Sequence, residues 1–294
     1  MPETASRQRD FAWIVVAYVA AAAVAIATVL TMASMGYNSL LWQAVMADIT
    51  ATLCIYAFSV GFRNSSFYDA YWSVIPPVLL AFWIWGYDAW NAVTFGVWLI
   101  TLLWAVRLTW NWARGWQGLH HVDWRYVDLR ANTGVFFPVV DLFGIHLLPT
   151  GWVFLGCLPV WYLVQSPQVA LSAVDLIWVV IGLGSVYLEF RADNVLRAFR
   201  LDQSNAGQVL QVDVWQYCRH PNYLGELGFW LALAIAGYLH SGDPMAWLGF
   251  ASIVILFVFI SIPMIDKRQL ASKPGYAAYR ERVPSLIPRP PRAK

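Results

Sequence analysis

Six apolar runs of roughly membrane-spanning length leave this chain few ways to fold: Phe11–Ala33, Leu40–Phe62, Ala89–Trp110, Leu171–Phe190, Leu224–Leu239 and Met245–Ile265. Hydrocarbon offers the backbone no water to bond with, so each such run must pair its own N–H and C=O groups, as a helix does. About 20 apolar residues suffice for one crossing. Two regions are less regular. Trp72–Trp85 is short and carries Pro76 and Pro77, and Thr133–Val164 is long and interrupted by Pro138, Pro149, Gly151 and Pro159. Composition agrees with the runs. Charged residues make up 12% of the chain and hydrophobic ones 60%, with a mean hydropathy of +0.54, against about 25% charged in soluble domains. The fold class expected is an all-α, polytopic helical bundle in a membrane.

Lys and Arg mark cytoplasmic loops. Arg7 and Arg9, Arg63, Arg114 to Arg130, Arg191 to Arg219, and the tail from Lys267 then share one side, while the connections at Gly36–Ser39, Asp88 and Ser241–Asp243 contain no basic residue. Arg130 and Arg191 share a side only if an even number of crossings separates them. One kinked span in Thr133–Val164 followed by Leu171–Phe190 meets that condition and gives about eight crossings (range about seven to ten), with both termini cytoplasmic. The first apolar stretch is too long for a cleaved signal, so a retained span is expected. No repeat or linker divides residues 1–294, which are expected to form one transmembrane domain. A net charge of +2 gives no reason to invoke nucleic acid. Three cysteines without a CxxC pair and five scattered histidines argue against a metal site. GLGS at Gly182–Ser185 lies inside an apolar run and lacks the strand–turn–helix context of a dinucleotide fingerprint.

Polar chemistry is concentrated in residues 215–226, WQYCRHPNYLGE. Pro221 suits the first turn of a helix, where its missing N–H leaves nothing unpaired, so a helix is predicted to begin near His220. Asn222, Tyr223 and Glu226 then fall on one face. Arg219 stands at the mouth, beside backbone N–H groups that attract anions. The arrangement is a socket for a phosphorylated or zwitterionic ligand.

Other ionisable residues recur at helical spacing near the ends of spans. In YLEFRADNVLRAFR, Glu189, Asp193, Arg197 and Arg200 share one face, which is either part of a site or a solvated juxtamembrane surface. In LLWAVRLTWNWARGW, Trp104, Arg107, Asn111 and Arg114 do the same; Arg114 can snorkel to headgroups, whereas Arg107 lies two turns deeper. Asp69, flanked by Tyr68 and Tyr71, is either a helix cap or a cavity-facing proton donor, and Asp48 carries the same two readings. In the tail, Tyr276 and Tyr279 follow Asp266, Lys267 and Arg268 as interfacial anchors or as a cofactor cap.

CRHPNYLGE, then IPMIDKRQL, then KPGYAAYRERVPSLIP, together with EFRADNVLRAFR and SFYDAYW upstream, resemble the steroid 5α-reductase superfamily, in particular its bacterial DUF1295 branch. The resemblance is strong from Glu189 onward and implies a cofactor-binding C-terminal half over residues 189–288. It implies NADPH as cofactor and hydride transfer to a conjugated C=C bond of a lipid-like enone. Asn222, Tyr223, Glu226, Asp193 and Arg200 would contact the cofactor, joined by Arg107 and Arg268, with Arg197, Arg219 and His220 completing the set. The superfamily polarises its substrate carbonyl with a Glu–Tyr pair. Asp69 would stand for the Glu, Trp104 occupies the place where the Tyr is sought, and Tyr71 or Tyr68 would supply the proton instead. The same C-terminal half is similar to isoprenylcysteine and phospholipid methyltransferases, which implies S-adenosylmethionine as the alternative cofactor. A non-catalytic lipid-binding protein is a second alternative. The expected partners are a lipid-like small molecule and membrane lipids, with no obligate protein partner, and the expected location is the bacterial inner membrane.

Overall fold

The computed structural model describes residues 2–166 and 170–290, with side chains from residue 7 onward. Among these, all regular structure is helical: α1 (Pro2–Ser34), α2 (Leu40–Phe62), α3 (Tyr71–Gly86), α4 (Ala92–Gly115), α5 (Trp124–Thr133), α6 (Phe137–Val140), α7 (Leu148–Val164), α8 (Leu176–Leu201), α9 (Pro221–Ser241), α10 (Ala246–Ile255), α11 (Ile262–Ser272) and α12 (Tyr276–Arg282). Seven helical stretches among the described residues are long and apolar enough to cross a bilayer, and the protein is an integral membrane protein. Helix α9, with 21 residues, also has the length of a crossing, with Asn222, Glu226 and His240 along it.

Proline shapes two of the spans. The span Trp124–Val164 is continuous but passes through a π-helical segment at Asp141–Leu147, and a second π-helical segment, Leu256–Ser261, joins α10 to α11. Each lies just before a proline, Pro149 and Pro263 respectively. A proline ring collides with the carbonyl four residues earlier, here that of Ile145 or Phe259, and a widened turn relieves the collision without breaking the helix.

The chain divides into two compact units, Met1–Trp90 with Leu108–Cys157, and Asn91–Arg107 with Leu158–Lys294. In the first, Ile14, Ala17 and Ala21 of α1 pack on Ala51 and Ile55 of α2 and on Phe67, Tyr68 and Tyr71. In the second, α8 and α9 pack side by side through small residues. A methyl group at Gly225 would lie 2.9 Å from the carbonyl oxygen of Ser185, and one at Gly228 would strike the Ser185 hydroxyl. Lipid is as apolar as a leucine side chain, so helices in a bilayer gain most by bringing backbones this close. The far end of the pair is tied by Asp175, which accepts hydrogen bonds from Trp178 Nε1 (2.6 Å) and His240 Nε2 (2.7 Å).

Gly225→Ala is expected to lower stability by about 1–3 kcal/mol through overpacking. Gly184→Ala on α8, where a methyl group meets nothing within 4 Å, should be neutral or slightly stabilising. Unfolding titrations in mixed micelles test the pair, and equal behaviour of the two variants would refute the close α8–α9 contact.

Candidate cofactor site

The close approach of α8 and α9 crowds charge into the interior of the second unit. Glu189 and Asp193 lie one turn apart on α8, Glu226 begins the second turn of α9, and Arg107 reaches them from α4. The Arg107 guanidinium pairs with Glu189, with Asp193 at 2.9 Å and with Glu226 at 3.8 Å. None of the four side chains is more than 9% exposed. Glu226 is held from both sides: Trp104 Nε1 donates to Oε2 at 3.0 Å and Trp230 Nε1 to Oε1 at 2.8 Å. Trp104 stacks on Phe229 at 4.5 Å between ring centroids and meets Trp230 edge-on at 5.4 Å. Oε1 of Glu189 and Nε of Arg107 make no hydrogen bond. A buried ion pair recovers its desolvation cost only when its remaining polar atoms are satisfied, so these atoms mark where a polar ligand would be accommodated.

A second cluster surrounds the start of α9, which begins at Pro221 with His220 as its N-cap. Asp266 of α11 accepts from Arg219 Nη2 (3.0 Å) and His220 Nε2 (3.0 Å), and also from the Tyr276 hydroxyl. Arg219 Nη1 donates to the carbonyls of Val283 (2.7 Å) and Arg280 (3.1 Å), and the backbone N–H groups of Arg219 and His220 donate to Pro284 and Ser285. Tyr279 donates to the Trp215 carbonyl at 2.5 Å. These bonds strap the C-terminal segment across the mouth of α9. A groove of about 440 Å³ opens beside the strap, lined by Arg219, Asp266, Lys267, Arg280 and the apolar Ile262 and Leu270. Burial pushes the Cys218 thiol up to about 11 and, with the hydrogen bond to Asp266, holds the Tyr276 phenol above its ordinary value. Burial and the neighbouring Arg200 both lower Lys273.

The structure therefore joins Arg107, Asp193 and Glu226 in one cluster and Arg219 with His220 in another. Tyr223 stacks on His220 at 5.4 Å and meets Phe257 edge-on at 4.8 Å. Asn222 and Arg197 are half-buried, Arg200 and Arg268 exposed. Arg200 lies within electrostatic reach of both Asp193 and Lys273.

The candidate proton donors belong to the first unit. Tyr68 ends a 3₁₀ turn (Ser65–Tyr68) that leads into Tyr71. The two tyrosines lie against one another, with ring centroids 5.6 Å apart. Tyr68 bonds Thr150 Oγ1 at 2.7 Å, and Thr150 bonds Thr52 Oγ1 at 3.0 Å. Asp48, one turn before Thr52, interacts electrostatically with both tyrosines, and neither of its buried carboxylate oxygens has a hydrogen-bond partner. Asp69 instead accepts from Tyr126 at 2.6 Å; helix α3 has Ala70 as its N-cap and no side-chain cap. Asp69 is thus not the helix cap that was one of its two sequence readings, and Asp48 is the carboxylate that shares the interior with Tyr68 and Tyr71.

Glu189, Trp104, Asp266 and Tyr276 stand among the sequence candidates without a cofactor contact assigned to them, and the structure brings them into the two clusters. Trp230 is the addition that the structure makes; it follows Glu226 by one helical turn, so helical spacing could have found it.

A polytopic helical membrane protein with a charged, aromatic-walled interior site is the class that this fold defines. A family model described as protein of unknown function (DUF1295) matches residues 55–283, and the chain belongs to that family. An uncharacterized protein of Schizosaccharomyces pombe is 24% identical over 260 residues, covering 80% of this chain and 76% of that protein. No solved structure matches the chain significantly.

Arg107→Ala would remove the guanidinium shared by three buried carboxylates and is expected to cost about 3–5 kcal/mol, with Glu189→Gln in the same chain restoring part of the loss. Unfolding of the single and double variants tests this; no recovery in the double variant would contradict the coupling. Asp266→Ala is expected to release the C-terminal strap, read as faster proteolysis after residue 272 with the rest of the chain intact.

Proposed function

We propose that this protein is an NADPH-dependent reductase of the bacterial inner membrane, with both termini cytoplasmic, that transfers hydride to a conjugated C=C bond of a lipid-like enone. The observation that carries this reading is the convergence of Arg107, Asp193 and Glu226, from three separate helices, in one buried cluster. These are residues for which the resemblance to steroid 5α-reductases implies cofactor contact. Glu189 Oε1 and Arg107 Nε, which make no hydrogen bond, suit a carboxamide, which both donates and accepts. The buried tryptophans keep water from the cluster. Arg197, Arg200, Arg268 and Lys273, outside that interior, have the charge to hold phosphates.

NADPH, when bound, supplies the hydride. The protein's own residues bind and orient the ring, exclude water and return a proton to the reduced substrate. The last role falls in this reading to the Tyr71 hydroxyl beside Asp48, with Tyr68 held by Thr150. Asp69, bonded to Tyr126, serves to position helix α5.

A second reading, an S-adenosylmethionine-dependent methyltransferase, draws on the same cluster, since carboxylates and aromatic rings also suit a sulfonium cation. Thermal shift of the detergent-purified protein separates the two. NADPH is expected to stabilise the wild type, with a smaller effect in Glu226→Ala and Arg200→Ala. Stabilisation by S-adenosylmethionine alone would overturn the reductase reading. Once an enone substrate is in hand, Tyr71→Phe is expected to lower kcat about 100-fold or more with NADPH affinity unchanged; undiminished turnover would remove Tyr71 from the chemistry.

A further inference from the structure

The groove beside the C-terminal strap lies at the end of a membrane span. Ala246–Ser272 runs for 27 residues, whereas about 20 suffice to cross the hydrocarbon, so its last turns emerge among the headgroups. There Pro263, Lys267 and Leu270 recur at i, i+4 and i+7 on one exposed face of α11. Arg280 of α12 and Arg219 line the same groove of about 440 Å³. Three cations thus meet one carboxylate, and that carboxylate, Asp266, is already engaged by Arg219, His220 and Tyr276. Lys267 and Arg280 are exposed, and neither side chain makes an ion pair or hydrogen bond among the described residues. Buried Arg219 commits both terminal nitrogens to Asp266 and to backbone carbonyls, while its Nε makes no hydrogen bond.

We propose that the groove between α11 and α12 binds an anionic phospholipid, its phosphate between Lys267 and Arg280 and its acyl chains against Ile262 and Pro263. Basic groups at headgroup depth attract anionic lipid, and a phosphate oxygen accepts strongly from both lysine and arginine. The apolar part of the lining gives a bare phosphate nothing, and a zwitterionic headgroup would bring its ammonium toward the same cations. The proposal does not rest on the reductase reading, which assigns nucleotide phosphates to Arg197, Arg200, Arg268 and Lys273. A bound headgroup ties α11 to α12, and so reinforces the bonds from Arg219 and Tyr276 to Asp266 that hold the start of α9. A ligand that binds only the closed strap stabilises it, so anionic lipid regulates the joint.

Native mass spectrometry of the full chain in detergent, titrated with phosphatidylglycerol and with phosphatidylcholine, tests the site. The wild type is expected to retain phosphatidylglycerol in preference to phosphatidylcholine. Lys267→Gln with Arg280→Gln is expected to weaken that binding about tenfold or more. Arg9→Gln with Arg63→Gln, which removes the same charge from exposed positions in the first unit, should leave it within about twofold. Proteolysis after residue 272 gives a second readout. Phosphatidylglycerol added to phosphatidylcholine nanodiscs should slow cleavage of the wild type and leave that of the Lys267→Gln, Arg280→Gln variant unchanged. Equal weakening in the two double variants, or equal retention of the two lipids, would reduce the interaction to diffuse attraction and overturn the proposal. Binding of glycerol phosphate or NADPH that is lost in Lys267→Gln with Arg280→Gln would give the groove to a soluble phosphate and overturn it as well.

Discussion

Burying charge in a bilayer is the constraint on which the second unit of this protein depends. A lone Arg107 on α4 would be untenable at that depth, and so would Glu189, Asp193 or Glu226. Each is tolerable because the others are there. Their meeting requires α8 and α9 to approach to backbone contact at Ser185, Gly225 and Gly228, which in turn requires residues without bulk. The glycines are thus part of the site as much as the acids are. Glu226 can lie against Arg107 only because its neighbour Gly225 lets α9 sit down on α8.

The RHPNY segment acts first as a structural joint. Pro221 starts α9, and Arg219 and His220 turn back to Asp266 and to the backbone of the C-terminal segment. Fixing the start of a helix fixes the direction in which its first turns point, so Asn222, Tyr223 and Glu226 are aimed by contacts made outside the helix that carries them. Tyr276 and Tyr279 belong to that joint: one bonds Asp266, the other the Trp215 carbonyl. A motif legible as a socket is in this way also the clasp that holds the socket open.

The spans were legible in the sequence because lipid leaves the backbone no alternative to the helix, and composition along a run of about 20 residues states that directly. The kinks were visible as prolines, but the answer to them, a π-helical turn before Pro149 and before Pro263, depends on whether neighbouring helices favour widening over breaking. The acidic face of α8 was readable by its spacing; that Asp193 pairs with Arg107 on α4 was not, since pairing across 86 residues leaves no local trace. The early acids show the same limit. Asp69 is adjacent to Tyr68 in sequence yet bonds to Tyr126, because a 3₁₀ turn carries successive side chains about 120° apart. Asp48, twenty residues earlier, is the acid within reach of both tyrosines.

The most direct measurement of the central claim is a cryo-electron microscopy map of the full chain in nanodiscs with NADP⁺ present. Density for the nicotinamide ring against Trp104, Glu189 and Glu226, with the phosphates toward Arg200 and Lys273, is the predicted result. A map of equal quality that shows the cluster closed on itself, with no nucleotide or with the nucleotide bound elsewhere, would contradict it.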